Sequence, residues 1–467
     1  MSADRLLDLD PDRIVQTLLR CAGAGPRYTS YPTAPAWSDA YGPEAFLEDL
    51  GRVEPGQGIA LYAHVPFCRS LCHFCACNRV ITRREEMPAR YLDVIAREVE
   101  TLREAVPAGV RVAQHHWGGG TPTHLDPGQV RRLFHTLDDA FPVQPDAEIS
   151  IEVDPRVTSE AHVEALRECG FNRISLGVQD FDPRVQEAIH RVQSVEQTAA
   201  LAEQARRAGF ESVSFDLIYG LPFQTEASFQ RTLASVTAIG PDRIALYAYA
   251  HVTWVAKQQR GFARADLPEP PVRLRILVGA IRRLLAAGYE YIGLDHFARP
   301  EDELARALCD RSLRRNFMGY TTKAGLDLIG FGPSAIAELA GAYAQSHRDL
   351  EAWEGAVAAG RPATMRGHRL SRDDQERRWV IQRIMCHGAV EAAEYRERFG
   401  EAFAERFREE LGRLGPLEAD GLVRLEPDGS LRVTALGRLV VRNVAMEFDA
   451  YLPRQRQAER PLFSQTV

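Results

Sequence analysis

The stretch "HVPFCRSLCHFCACN" brings four thiols, Cys68, Cys72, Cys75 and Cys77, within ten residues, with aromatic side chains between them. A set this dense could be a zinc site, a disulfide staple, a redox pair or an iron–sulfur ligand set. Structural zinc takes four closed ligands, usually as two pairs separated by a longer loop. CxxxCxxC supplies three from one short loop, and no second pair comes after it. A redox CxxC would need only two of them. Three thiolates at one edge suit a [4Fe–4S] cluster with one iron left open for a chelating substrate or cofactor. Cys77 lies only two residues beyond Cys75 and would close that open iron, so it is expected to be a non-ligand thiol beside the site. Cys21, Cys169, Cys309 and Cys386 are scattered and are expected to be small buried hydrophobes.

The loop needs a frame. From about residue 58, apolar and β-branched runs ("IALYAHV", "VAQHHWGG", "EISIEV", "RISLGV", "SVSFDLIYG", "RIALYAYA") alternate with amphipathic stretches such as "DPGQVRRLFHTLDDAF" and "SVEQTAALAEQARRAG". Repeated βα units of this kind predict an α/β fold, a parallel sheet with helices outside it. Six in series point to a barrel or partial barrel, in which chemistry collects at the C-terminal ends of the strands. The segments directly after the strands fit that: the cysteine loop, "GGGTPT", "EVDP", "GVQDFD", "DLIYGLP" and "YAYAH" are rich in Gly, Pro and polar groups. Residues 1–50 read as an ordered N-terminal arm and 51–365 as the barrel with its extension. Residues 366–467 read as a mostly helical, winged-helix-like cover domain, with "PDGS" as a hairpin turn.

The chain has 467 residues, 45% of them hydrophobic and 26% charged, which is ordinary globular composition. A net charge of −7 argues against a nucleic-acid partner. No run approaches the roughly 20 apolar residues of a membrane span. The start, "MSADRLLDLDPDR", lacks the features of a signal peptide. A cytoplasmic location with reduced thiols is therefore expected, which disfavours a disulfide.

Over most of its length the chain resembles the radical S-adenosylmethionine (SAM) enzymes, and among them the oxygen-independent coproporphyrinogen III oxidases. The blocks that carry the likeness are "PRYTSYPTA", "LYAHVPFCRSLCHFCACN", "HWGGGTPTHL", "ISIEVDPR", "GVQDF", "FDLIYGLP", "DHFARPEDEL", "NFMGYTT" and "GFGPSAI". The resemblance implies a partial (β/α)6 radical SAM barrel in which Cys68, Cys72 and Cys75 hold the cluster and SAM chelates the open iron. It also implies a 5′-deoxyadenosyl radical that takes hydrogen from a propionate, with loss of CO2 and formation of a vinyl group. Two propionates of coproporphyrinogen III would react, giving protoporphyrinogen IX.

Two bound SAM molecules are implied. Tyr62, Gly119, Glu152 and Ile336 would serve the one on the cluster; Phe74, Gly120, Thr121, Gln179, Arg191, Asp216 and Ala250 would serve the second. Tyr62, His64 and Cys77 are the catalytic candidates, and His64 is the histidine whose strand aims it at the site; His115 and His116 are expected to be structural. Met318 stands where the family often has Gln. "GFGPSA" fits a dinucleotide pattern but reads as a loop closing over adenine, near Ile336. Arg27, Arg299 and Arg315 are candidates for substrate carboxylates, with solvated surface charge as the default. The other functions weighed are a haem-binding chaperone of the same superfamily, a radical SAM tetrapyrrole methyltransferase and a plain iron–sulfur electron carrier. A tetrapyrrole substrate, an unidentified electron donor and acceptor, no membrane partner and a monomer complete the expectations.

Overall fold

The computed structural model describes residues 7, 9–254, 256–323, 325–457 and 462–465. Much of the "MSADRLL" opening lies outside them. Six strands form the centre: β1 (Ile59–Val65), β2 (Val112–Gly119), β3 (Val143–Val153), β4 (Arg173–Gln179), β5 (Ser212–Tyr219) and β6 (Arg243–Ala248). Each pairs in parallel with the next. The hairpin β7 (Glu290–Gly293) and β8 (His296–Ala298) closes one edge, with β8 antiparallel to β6. On the other edge β9 (Asp327–Phe331) runs parallel to β1. β10 (Ile336–Leu339), β11 (Ala342–Ser346) and β12 (Thr364–Arg369) then continue antiparallel. The twelve strands make one sheet, in the order β12-β11-β10-β9-β1-β2-β3-β4-β5-β6-β8-β7.

β1 is buried at all seven positions, as a central parallel strand covered on both faces should be. In β3, alternation sends Ala147, Ile149, Ile151 and Val153 into the apolar core and turns Glu148, Ser150 and Glu152 the other way. Each fully buried aliphatic of that set contributes about 1.5–3 kcal/mol. After α1 (Pro11–Arg20), the helices that cover the apolar side are α2 (Glu86–Ala105), α3 (Pro127–Ala140), α4 (Glu160–Glu168), α5 (Val195–Arg207), α6 (Glu226–Ile239) and α7 (Pro270–Ala286). α3 shows why the sequence folds as it does. The Asp126 carboxylate accepts from the Gln129 N–H at 2.9 Å, and the Gln129 side chain accepts from the Asp126 N–H at 3.1 Å. Val130, Leu133, Phe134 and Leu137 then bury one stripe.

α1 packs Ile14, Val15 and Leu18 against Leu274 and Val278 of α7 and against Leu422, Leu436 and Val440. Further along, Ser38 and Gly367 exchange two backbone hydrogen bonds of 2.9 Å. After β12 come α8 (Arg372–His387), short helical pieces between Ala392 and Ala419, and the hairpin Val423–Leu425/Leu431–Val433, to which Ala389–Val390 adds a third strand. The hairpin turns through "EPDGS", where Gly429 takes φ +85°.

Two expectations change. "LIGFGPSA" is not only a loop: Asp327–Phe331 forms the seventh parallel strand, and Gly332–Ala335 is the turn into β10. Of the scattered cysteines, Cys169 and Cys386 are buried as expected, but Cys309 is exposed at the end of its helix and Cys21 is half-buried. No helix among the described residues is long and apolar enough to cross a membrane.

Candidate active site

The strand period that builds the core also builds a cavity inside it. Ser150 and Glu152 of β3, Ser175 and Gly177 of β4, Ser214 and Asp216 of β5 and Ala245 and Tyr247 of β6 are the inward set. At the C-terminal ends of the strands lies a cavity of about 350 Å3, lined among others by all four clustered cysteines and by Gly119 and Gly120. A second cavity of about 140 Å3 extends toward the N-terminal ends and shares Glu152, Ser175, Asp216 and Tyr247 with the first.

The cysteine loop is fastened on every side. Phe67–Cys68 pairs with Val80–Ile81, and Cys75 N–H donates to the Cys72 carbonyl at 3.3 Å. From the turn after β4, the Ile189 carbonyl accepts from His73 N–H at 2.9 Å, and His190 Nδ1 bonds the Leu71 carbonyl at 2.8 Å. From the opposite side Gln259 donates to the Phe74 carbonyl at 2.9 Å, and Gln258 to that of Cys75. Phe74 packs beside Val185, Ile189 and Ile218.

Two guanidiniums face one sulfur. Arg156 Nη2 lies 3.6 Å and Arg191 Nη1 3.7 Å from Cys72 Sγ. Both also hold Asp154, at 2.7 and 3.1 Å. Burial pushes the Asp154 carboxyl up, but Arg191 and Arg156 outweigh it and hold it below the usual carboxylate range. Arg191 also donates to the Gly177 carbonyl at 2.7 Å. Thr121 Oγ1 is 3.4 Å from Cys68 Sγ. Cys77 lines the same cavity, its thiol hydrogen-bonded to that of Cys75.

Two carboxylates share the junction of the cavities. Glu152 accepts from Gly119 N–H at 3.3 Å and lies 3.6 Å from His116 Nε2. Burial raises it, and His116 with Gly119 brings it below its ordinary value. Asp216 bonds Ser175 Oγ at 3.3 Å; burial, helped by the Glu152 charge, pushes it up to about 7. Gln179 ends β4 with φ +67°, a conformation that disfavours side chains, and lines the upper cavity.

Close backbone approach explains the glycines. A Cβ on Gly119, at φ +113°, would stand 2.6 Å from the His64 ring, and one on Gly120 would stand 2.6 Å from the Pro66 backbone. The ends of β1 and β2 can therefore touch: Gly120 N–H donates to the Val65 carbonyl and Thr121 N–H to that of Phe67, both at 2.8 Å.

Not every expected residue reaches the cavity in the same way. His64 Nδ1 bonds Tyr62 Oη at 3.0 Å and its Nε2 bonds the Asn78 carbonyl at 2.9 Å. Both nitrogens are thus engaged, tying β1 to the cysteine loop, and burial pushes His64 down to about 4. Tyr62 stacks on His116 with ring centroids 6.0 Å apart. The Ile336 side chain packs on Trp37, Tyr343 and Leu370, away from the cavity, and Ala250 offers its carbonyl to Gln259 at 2.9 Å. Among the described residues no three His, Cys, Asp or Glu side chains close in on a single ion; the three thiols stand round one wall instead. Sequence reasoning missed Asp154, Arg156, Ser175 and Tyr247. "EVDPR" carried the first two, one strand alternation beyond Glu152.

The radical SAM superfamily matches residues 62–236, and the HemN C-terminal domain matches 370–440. The oxygen-independent coproporphyrinogen III oxidase of Escherichia coli (strain K12) is 45% identical over 444 residues, covering 95% of this chain and 96% of the relative. The chain belongs to this family. The oxidase of the same name from Pseudomonas aeruginosa is 43% identical over 439 residues, covering 93% and 95%, and that of Synechocystis is 41% identical over 448, covering 95% of each. The structure described as coproporphyrinogen III oxidase (HemN) from Escherichia coli, a radical SAM enzyme, superposes with a TM-score of 0.88 at 44% identity, covering 91% of this chain and 97% of that one.

Membership in the radical SAM superfamily implies a [4Fe–4S] cluster and SAM. The residues fit both. Three soft thiols line one wall, two guanidiniums face a sulfur, and the cavity continues past them between carboxylates and a glycine pair.

Proposed function

We propose that this chain converts two propionate side chains of coproporphyrinogen III to vinyl groups without oxygen, giving protoporphyrinogen IX. The observation that carries this is a single cavity shared by the cysteine loop, the glycine pair and the Glu152–Asp216 junction, in a chain 45% identical to a named oxidase over 95% of its length. The cluster and SAM, when bound, supply a 5′-deoxyadenosyl radical that takes the hydrogen. The chain's own residues bind, orient and exclude water. Cys68, Cys72 and Cys75 would hold the cluster, with Cys77 outside the ligand set. Arg156 and Arg191 would offset thiolate charge at Cys72. Tyr62, Gly119, Glu152 and Ile336 would serve one SAM, and Phe74, Gly120, Thr121, Gln179, Arg191, Asp216 and Ala250 a second.

Residues 1–50 form the arm, 51–365 the barrel with its extension, and 366–467 a cover. The enzyme works in the cytoplasm as a monomer and draws on a separate electron donor and acceptor. The haem-chaperone and methyltransferase readings are not favoured, since the relatives at 41–45% identity are named as oxidases.

Anaerobic incubation of the cluster-loaded chain with coproporphyrinogen III, SAM and a reductant tests the activity. Vinyl product with release of CO2 supports it; tight haem binding without turnover overturns it. Equilibrium dialysis with labelled SAM tests the count. Two molecules per chain support the second site, and one removes it.

A further inference from the structure

Beside the aromatic side chains that line the lower cavity, positive charge gathers from three distant parts of the chain. His296 stands between Tyr247 and Tyr320, ring centroids 6.0 and 5.2 Å away, both edge-on, and all three rings line that cavity. Arg27, from the arm, places its guanidinium 5.5 Å from the Tyr247 ring, and Arg315 places its own 5.0 Å from the Tyr320 ring. The aromatic row therefore has a guanidinium at each end. Asp295 pairs with Arg27. Arg315 is 5% exposed, and among the described residues its Nε and Nη1 have no acceptor, nor does His296 Nδ1 have a partner. A third guanidinium, Arg442, donates to the carbonyls of Pro26 and Gly25 and adds its charge to the same neighbourhood. These charges are mutually repulsive: beyond the effect of burial, Arg442 and Arg315 both lower the Arg27 value, to about 10. Of the other carboxylates on that cavity, Glu148 is engaged with Arg173 and Glu152 with His116 and Gly119, while Asp216 bonds the Ser175 hydroxyl.

A buried guanidinium without an acceptor is costly, and it persists where a ligand completes it. We infer that Arg315, together with Arg27, is the subsite for a propionate carboxylate of the tetrapyrrole, held against the Tyr247–His296–Tyr320 row. This rests on the tetrapyrrole reading above. The carboxylate held there is one that is not being lost at that moment, because pairing with a guanidinium stabilises the anion against leaving as CO2. Arg315 is thus a binding residue that orients the macrocycle and presents a different propionate to the upper cavity. Arg27 makes the arm part of the substrate site, and Gln382 of α8, which donates to the Arg315 carbonyl at 3.3 Å, ties the subsite to the C-terminal region.

The test is titration of coproporphyrin III, and separately of its neutral tetramethyl ester, into the anaerobic, cluster-loaded full chain, followed by porphyrin fluorescence. The unaltered chain should prefer the acid. Arg315→Gln should weaken acid binding about tenfold or more, leave the ester unchanged, and be largely rescued by Arg315→Lys. Cluster content of each variant checks that the fold survives. Equal affinity of acid and ester for the unaltered chain, or acid binding to a folded R315Q variant as tight as to the unaltered chain, overturns the subsite. Should R315Q not fold, the acid-against-ester comparison on the unaltered chain decides alone. Turnover of coproporphyrinogen III is measured separately, so absence of vinyl product counts against the activity, and indifference to the carboxylates counts against the subsite.

Discussion

Arg191 and Asp154 meet directly behind Cys72: Nη1 of the arginine lies 3.1 Å from the carboxylate and 3.7 Å from the sulfur. The first contact fixes the guanidinium and the second directs it at the cysteine loop. The guanidiniums that face that sulfur therefore come from the turn after β4 and from the end of β3, and not from the loop itself.

Arg191→Met removes one of two cations from a buried carboxylate. Arg156 remains on Asp154, so the expected loss is about 1–3 kcal/mol rather than that of an abandoned charge. Urea unfolding measures it, and iron and sulfide per chain after reconstitution should fall with it.

Gly120→Ala sets a methyl 2.6 Å from the Pro66 backbone, which cannot swing aside as a side chain would. Separation of the β1 and β2 ends is the expected result, at about 1–3 kcal/mol, with reduced cluster content and SAM binding. Thermal unfolding and iron analysis report the two effects.

His64→Gln distinguishes a strut from a proton carrier. With the cysteine loop still braced by an amide to the Asn78 carbonyl, activity should persist with the pH profile of the unaltered chain between about pH 5 and 8, the range in which a general acid or base of this type would titrate. A lost profile limb would return His64 to the chemistry. His64→Ala should lower cluster content.

Asp216 gives the fold a pH dependence. Its folded value is raised to about 7, so the native state binds that proton more tightly than the unfolded chain does. The contribution is fully present below the unfolded carboxyl value near 4 and is lost as pH rises through 7. Asp216→Asn should therefore be the more stable protein at pH 8 and lose that advantage toward pH 4, while binding SAM less well. Melting temperatures across that range, beside SAM titrations, check both.

Much of the frame was legible because it obeys a period. The inward set of Glu152 and Asp216 and the helix stripe of Val130, Leu133, Phe134 and Leu137 are readable from residue spacing alone. What stayed hidden depends on partners distant in sequence. Asp154 looks like a turn residue until Arg191, 37 residues on, arrives beside it. The partner of His64 Nε2, the Asn78 carbonyl, likewise lies 14 residues on. β9 was obscured by the glycines in and just after it; Gly332, opening the turn, is needed because a Cβ there would stand 2.6 Å from the His64 carbonyl, an approach that no local pattern encodes. Arg315 resembled surface charge because nothing nearby in sequence announces its burial.

The segment that brings Arg27 to the barrel is latched late. Gly25 N–H donates to the Ser464 carbonyl at 3.0 Å, and Arg442 grips the carbonyls of Gly25 and Pro26. During synthesis these fasteners emerge last, long after β1 and the cysteine loop can fold. The arm that carries Arg27 can therefore take its final seat only once nearly the whole chain has been made.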